Sequence, residues 1–228
     1  MGTTIAGISS MATRLILAEL TQRYEAANAV SAAIQSMGGV DAAKKVREGE
    51  AVDVVILASG PMAKLEAEGH LVAGSVKGFT RSGMAIAVRS GAPKPDISNE
   101  AAVKAAVLAA KAVCYSTGPS GDHLLQLCET WGVAADDPRL VKAPPGIPVG
   151  TFVADGKADI GFQQLSELIH VQGIEVLGPL PPEIQNVTVF AAGVAATSKQ
   201  PEATAALIAY LASPQTAQVK QAQGMEPA

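Results

Sequence analysis

The sequence predicts an α/β fold of two Rossmann-like lobes joined by a two-strand hinge, with a ligand cleft between them. Three observations lead there. Short apolar runs alternate with helical patterns along the whole chain, which is the signature of βαβ units and a mainly parallel sheet. Aromatic residues are only 4% of the 228, so the core must rest on Val, Ile, Leu and Ala. The long strand patterns away from the helix-rich ends fall near Gly83 and near Val189, and the second carries the chain back beside its first half. Lobe 1 is then residues 1–79 plus 191–228, and lobe 2 is residues 80–190. The cleft lies outside the carboxyl ends of the strands, where open α/β sheets place ligands.

The elements follow in order. "TTIAGI" reads as strand, Met11 to Asn28 as helix, "VSAAIQ" as strand and Val40 to Gly49 as helix. "VDVVILA" is a continuous apolar run, hence a strand buried on both faces, and Pro61 to Glu68 is the helix after it. The strand "GMAIAVRSG" ends in "GAPKPDIS", where Pro93 and Pro95 forbid helix and enforce an extended loop. Glu100 to Ala110 is helix, "AVCYS" strand, Gly121 to Trp131 helix, "LVKAP" strand, Val149 to Gly156 helix and "ADIGF" strand. The chain closes with "LSELIH" as helix, "IEVLGPLP" and "VTVFAAGVAA" as strands, and Pro201 to Ala212 and Gln215 to Gly224 as helices.

Composition excludes several classes of function. With 17 basic and 21 acidic residues the formal charge is −4, and no basic stripe interleaved with aromatics offers itself to a phosphate backbone, so no nucleic-acid partner is expected. No apolar stretch reaches the ~18 residues of a membrane span. Cys114 and Cys128 lack metal-ligand spacing and read as buried thiols, with a disulfide between them left open; no metal and no cofactor are expected. The first thirty residues show no secretory signal pattern. The chain is therefore expected in the periplasm if it is a mature form, and in the cytoplasm if Met1 is the native start.

The strand ends are rich in small polar residues. Ser9 and Ser10 follow the first strand, Ser36 and Gly38 the second ("SMGG"), and Ser59 the third ("ASGP"). In lobe 2, Thr117, Ser120 and Gly121 lie in "YSTGPSGDH", Pro148 and Val149 in "PPGIPVG", and Gln163 and Glu167 in "GFQQLSE". Helix N-termini offer unpaired N–H groups and partial positive charge, and small hydroxyl residues let an anion come close. Several together make an anion site. Of the adjacent pair Ser9 and Ser10, one hydroxyl is expected to cap the first helix and the other to face the cleft. Arg81 is a candidate carboxylate clamp, and His123, in the first turn of its helix, is the first candidate acid or base, with Glu167 second. No GxxxxGK(S/T) or GxGxxG pattern follows a strand, so nucleotide binding is not indicated. Ser120, Asp122 and His123 are too close in sequence to face one another as a triad.

The order of "GISSMATRLILAEL", "SMGGVDAAKKVREGEAVDVVILAS", "GKADIGFQQLSEL", "IEVLGPLPPEIQ" and "PEATAALIAYLASP" resembles the molybdate-binding branch of bacterial solute-binding proteins, which have the type II periplasmic binding protein fold. The resemblance covers nearly the whole chain. It implies that Ser10 and Ser36 are ligand serines and that "GIPVG" donates backbone N–H groups. A tyrosine expected after the "ADIG" strand is replaced by Gln163, whose amide both donates and accepts and so suits a carboxylate as well as an oxyanion. "AVRSGAPKPDIS" and "GFQQLSEL" are similar to a smaller group within that branch, the aconitate isomerases. Two readings remain. The first is a monomeric receptor that closes over a small anion, molybdate or a di- or tricarboxylate, and delivers it to an ABC importer permease. The second is a cofactor-free isomerase of aconitate or a related unsaturated polycarboxylate.

Overall fold

The computed structural model describes residues 3–228; the expectation that turns on Met1 lies outside them. In chain order the elements are β1 (Thr3–Ser10), a 3-10 turn (Met11–Thr13), α1 (Arg14–Ala27), β2 (Val30–Met37), α2 (Gly39–Arg47), β3 (Val54–Ala58), α3 (Ser59–Ala67) and β4 (Lys77–Arg89). Then come α4 (Glu100–Ala109), β5 (Val113–Tyr115), α5 (Pro119–Thr130), β6 (Leu140–Lys142), α6 (Val149–Ala154), β7 (Ile160–Gln164), α7 (Leu165–Leu168) and β8 (Ile174–Pro179). After a 3-10 turn at Pro182–Ile184 the chain ends with β9 (Val187–Val194), α8 (Pro201–Ala212), α9 (Ala217–Ala222) and the short β10 (Glu226–Pro227).

The chain divides into two α/β units. One takes the described residues up to Arg81 together with Thr188–Ala228, and the other takes Ser82–Val187, so the chain passes between them inside β4 and inside β9. In the first unit β2, β1 and β3 are parallel neighbours, and β9 runs antiparallel along β3. Side chains of a strand alternate between its faces. Val54 and Ile56 accordingly join Ile5, Leu17, Leu20, Leu207 and Leu211 in one apolar cluster, while Val55 and Leu57 join Ala42, Val46, Met62 and Leu65 in another. Both faces of β3 are covered, which is why "VVIL" has no polar interruption.

The second unit repeats the scheme. β6, β5 and β7 are parallel, and β4 lies antiparallel between β7 and β8. Met84, Ile86 and Phe162 pack with Val103, Leu124 and Cys128 on the face covered by α4 and α5. The opposite face holds Cys114, Val149 and Val153, with Ala85, Ala87 and Leu168 in a small cluster of their own.

Two expectations change in detail, and a third, on the cysteines, narrows. The sheet is less uniformly parallel than the βαβ pattern suggests, because β4 pairs antiparallel with β7, β8 and β10. The helix expected from Met11 opens as a 3-10 turn and becomes α-helical at Arg14, and the last helix likewise opens as a 3-10 turn at Pro214–Thr216. Cys114 and Cys128 are free buried thiols, each pushed up to about 11 by burial. Thiols so held are poor nucleophiles.

Candidate functional site

The carboxyl end of β1 carries two serines on opposite faces of the strand. Ser9 stands opposite Ser36 in the parallel register, and their hydroxyls hydrogen-bond at 2.8 Å. Ser10 shares no such contact. Its residue is 7% exposed and its hydroxyl has no hydrogen-bond partner. A Cβ built on Gly39 would stand 3.8 Å from the Cβ of Ser10. Ser10 therefore lies against the first turn of α2, whose N-cap is Gly38. The expectation that one of the two serines caps the following helix is not met: Ser10 makes no side-chain cap bond, and Ser9 is engaged with Ser36. Ser59 is also used locally, donating to the Val189 carbonyl oxygen at 3.1 Å.

In the second unit the two glutamines that end β7 point to opposite faces of the sheet. Gln164 accepts from the Ser120 hydroxyl at 3.0 Å, and Ser120 in turn pairs with Ser116 at 2.8 Å. Because the Ser120 proton goes to Gln164, the Ser116 hydroxyl is the donor in the second bond. Gly118, the N-cap of α5, has φ of +99°, which the absence of a Cβ permits. Thr117, beside it, is half-buried. On the other face, Gln163 accepts from the Val149 N–H at 2.8 Å, and α7, which follows β7, carries the Glu167 carboxyl. Burial pushes that carboxyl up to about 7, against the opposing effect of Gln163. A carboxyl so placed can both take and give a proton near neutrality.

Several expected site residues have other duties. Val149 keeps no free N–H, because Gln163 occupies it; Pro148, the N-cap before it, has none to give. Arg81 belongs to the first unit and pairs with Glu226 of β10 at 2.8 Å, so it is committed within the chain. Gly121 is a packing residue: a Cβ there would stand 1.8 Å from the Ser116 carbonyl oxygen. His123 Nε2 lies 2.8 Å from the Ile184 carbonyl oxygen. A carbonyl can only accept, so Nε2 carries the proton and ties α5 to the turn before β9. That reverses the expected order of acid–base candidates, placing Glu167 before His123.

The sequence reading missed Ser166. It sits in α7 next to Glu167, is 6% exposed, and its hydroxyl has no partner, while its N–H makes a long 3.5 Å contact to the Ser82 hydroxyl. Among the described residues four buried side-chain oxygens lack partners: those of Ser10, Ser166, Thr204 and Ser213. Buried orphans are rare and call for a reason. The last two belong to α8 and its C-terminal end, whereas Ser10 and Ser166 stand at strand ends, one in each unit.

Comparisons with known proteins bear on the family and the fold. A family model described as bacterial extracellular solute-binding protein matches residues 5–226. An aconitate isomerase from a Pseudomonas species is 37% identical over 232 residues, covering 99% of this chain and 88% of that protein. Among solved structures, the periplasmic molybdate-binding protein of Azotobacter vinelandii matches with a TM-score of 0.81 at 17% identity, covering 97% of this chain and 98% of the other. The tungstate-binding protein of Desulfovibrio alaskensis matches with a TM-score of 0.70 at 14% identity and covers 99% of both chains. At those identities the structures speak for the fold.

Proposed function

The chain belongs to the bacterial extracellular solute-binding protein family, and from that premise we propose that it binds a small polycarboxylate and moves a proton on it, as an isomerase of aconitate or a related unsaturated polycarboxylate. The observation that carries this reading is Glu167, an ionisable carboxyl in α7, the helix directly after β7, that burial pushes up to about 7. A receptor that only holds an anion gains nothing from a carboxyl among its strand-end groups, since like charges repel. A proton-transfer enzyme needs one, and needs it near the working pH.

The step is a proton shift. Glu167, as carboxylate, takes a proton from the methylene carbon beside the double bond. The electron pair left on carbon spreads over the allylic system and into a carboxylate, and the proton returns at the far allylic carbon, so the double bond has moved. Hydroxyl donors are the groups that offset the growing oxyanion charge. The orphan hydroxyl of Ser166, next to Glu167, is assigned that part. Similarity to an aconitate isomerase at 37% identity supports the choice of substrate.

The second reading is an anion receptor for an ABC importer, and the family match over residues 5–226 favours it. The two are separated by incubating the protein with cis- or trans-aconitate in D2O and following proton NMR. Appearance of the other isomer, with deuterium entering the methylene position, is expected. Unchanged aconitate, together with thermal stabilisation by molybdate or tungstate, would establish the receptor instead.

A further inference from the structure

The second unit, Ser82–Val187, has a groove that the strand-end groups do not use. Its volume is about 440 Å³, within the range of small-molecule sites. It lies among the C-terminal end of β4, the proline segment that follows, the C-terminal end of α4 and the loop before β7. Val88 and Ile160, paired across β4 and β7, form its floor, and Pro93, Pro95, Ala106 and Ala110 form its walls. The sequence accounts for the space. Pro93 and Pro95 keep their segment out of helix, and the alanines of α4 are too small to fill the gap beside it. Gln163 and Gln164 end β7, whereas the groove opens at Ile160, the first residue of that strand.

Two opposite charges line this groove and do not meet. Arg89 ends β4 and Asp159 directly precedes β7, each one step beyond the Val88–Ile160 pair, yet no ion pair or hydrogen bond joins them. The guanidinium lies against Gly156, where a Cβ would stand 3.3 Å from Nη1, and among the described residues it has no hydrogen-bond or ion-pair partner. Asp159 Oδ2 accepts from the Lys111 N–H at 2.7 Å and the Ala112 N–H at 3.3 Å, just past the end of α4. Its Oδ1 accepts nothing among the described residues. Lys94, the third charged residue of the lining, is ion-paired with Glu175. The groove therefore has a cationic end with unused N–H donors and an anionic end, which the partial negative charge at the C-terminus of α4 reinforces. A neutral apolar molecule leaves both charges unanswered, and a simple anion meets Asp159 as a like charge. We propose that the groove binds a small zwitterion with an apolar body, an aliphatic amino acid, with its carboxylate on Arg89, its ammonium on Asp159 and its side chain against the proline and alanine walls.

The test uses the full chain, labelled with 13C at alanine methyl groups and with 15N at arginine side chains, titrated with L-leucine and followed by NMR. Saturable shifts are expected at the Ala106, Ala110 and Ala158 methyls and at Arg89 Nε. Two analogues each delete one charge: 4-methylpentanoate lacks the ammonium, and 3-methylbutylamine lacks the carboxylate. Each should bind about tenfold more weakly than leucine or worse, the worth of one hydrogen bond to a charged group. Arg89→Gln and Asp159→Asn should each weaken leucine binding by a similar factor. Both residues are exposed, and an asparagine oxygen still accepts from the Lys111 N–H, so both variants keep the fold. Leucine that gives no saturable shift in the groove overturns the proposal, as does an unchanged affinity in either variant. Equal binding of 4-methylpentanoate overturns it in favour of a plain carboxylate site, and equal binding of 3-methylbutylamine in favour of a cation site. None of these readouts depends on the isomerase reading, which aconitate turnover tests separately.

Discussion

Glu167 decides both the chemistry and one part of the response to pH. Glu167→Gln should lower aconitate interconversion by about 100-fold or more, while ligand-induced thermal stabilisation persists; retained turnover would remove Glu167 from the mechanism. Its linkage has a definite sign. The folded-state value, about 7, lies above the ordinary glutamate value, so the folded form holds its proton more tightly than the unfolded chain does. The stability this contributes is full below about pH 4 and is lost as pH rises through 7. Thermal melts between pH 5 and pH 8 should therefore fall less steeply in Glu167→Gln than in the parent chain. Ser10 makes a different prediction. Its hydroxyl has no partner, so Ser10→Ala should leave the ligand-free melting temperature unchanged or slightly higher, yet weaken anion binding by about tenfold in calorimetry, the worth of one hydrogen bond to a charged group. The pair Ser9 and Ser10 was legible as a polar strand end. The resemblance pointed to Ser10, but the residues alone could not say which serine is free, because that depends on the Ser9–Ser36 bond across the two strands.

At the scale of elements, the joins between strands and helices rest on close approach and on buried carboxylates. Gly121→Ala would drive a methyl group onto the Ser116 carbonyl oxygen, 1.8 Å away, at a place where only backbone could yield. A loss of about 3 kcal/mol is expected in chemical denaturation. Asp53 closes the β1, β3 and α8 junction. Burial alone would raise its carboxyl, but hydrogen bonds from the Ala6 N–H at 2.9 Å, the Ser198 hydroxyl at 2.8 Å and the Lys199 N–H at 3.0 Å hold it below the usual range. Its contribution is present above the unfolded value, about pH 4, and disappears as pH falls through the lower folded value. Asp53→Ala should destabilise the chain by about 2 kcal/mol at pH 7 in urea melts, and the difference should shrink on going to pH 3. Most elements were legible because their apolar periods are clear, and α8 begins and ends at the residues its Pro201 start and apolar face imply. What the periods could not carry was partnership between distant residues. Ser120 with Gln164 and Gln163 with Val149 are made by tertiary packing, which joins groups that the sequence offers separately.

For the whole molecule, two α/β units built on one plan, with the chain passing between them in β4 and β9, give the family its fold. α7 sets an ionisable carboxyl, Glu167, next to an orphan hydroxyl, Ser166. Binding without chemistry would still stabilise the chain, by about 2.7 kcal/mol at a ligand concentration of 100 Kd, so stabilisation alone does not separate enzyme from receptor. Proton NMR of trans-aconitate incubated with the protein in D2O does. The account predicts formation of cis-aconitate with solvent deuterium in the methylene group, abolished by Glu167→Gln. Trans-aconitate that stabilises the protein yet remains unchanged and undeuterated would contradict it.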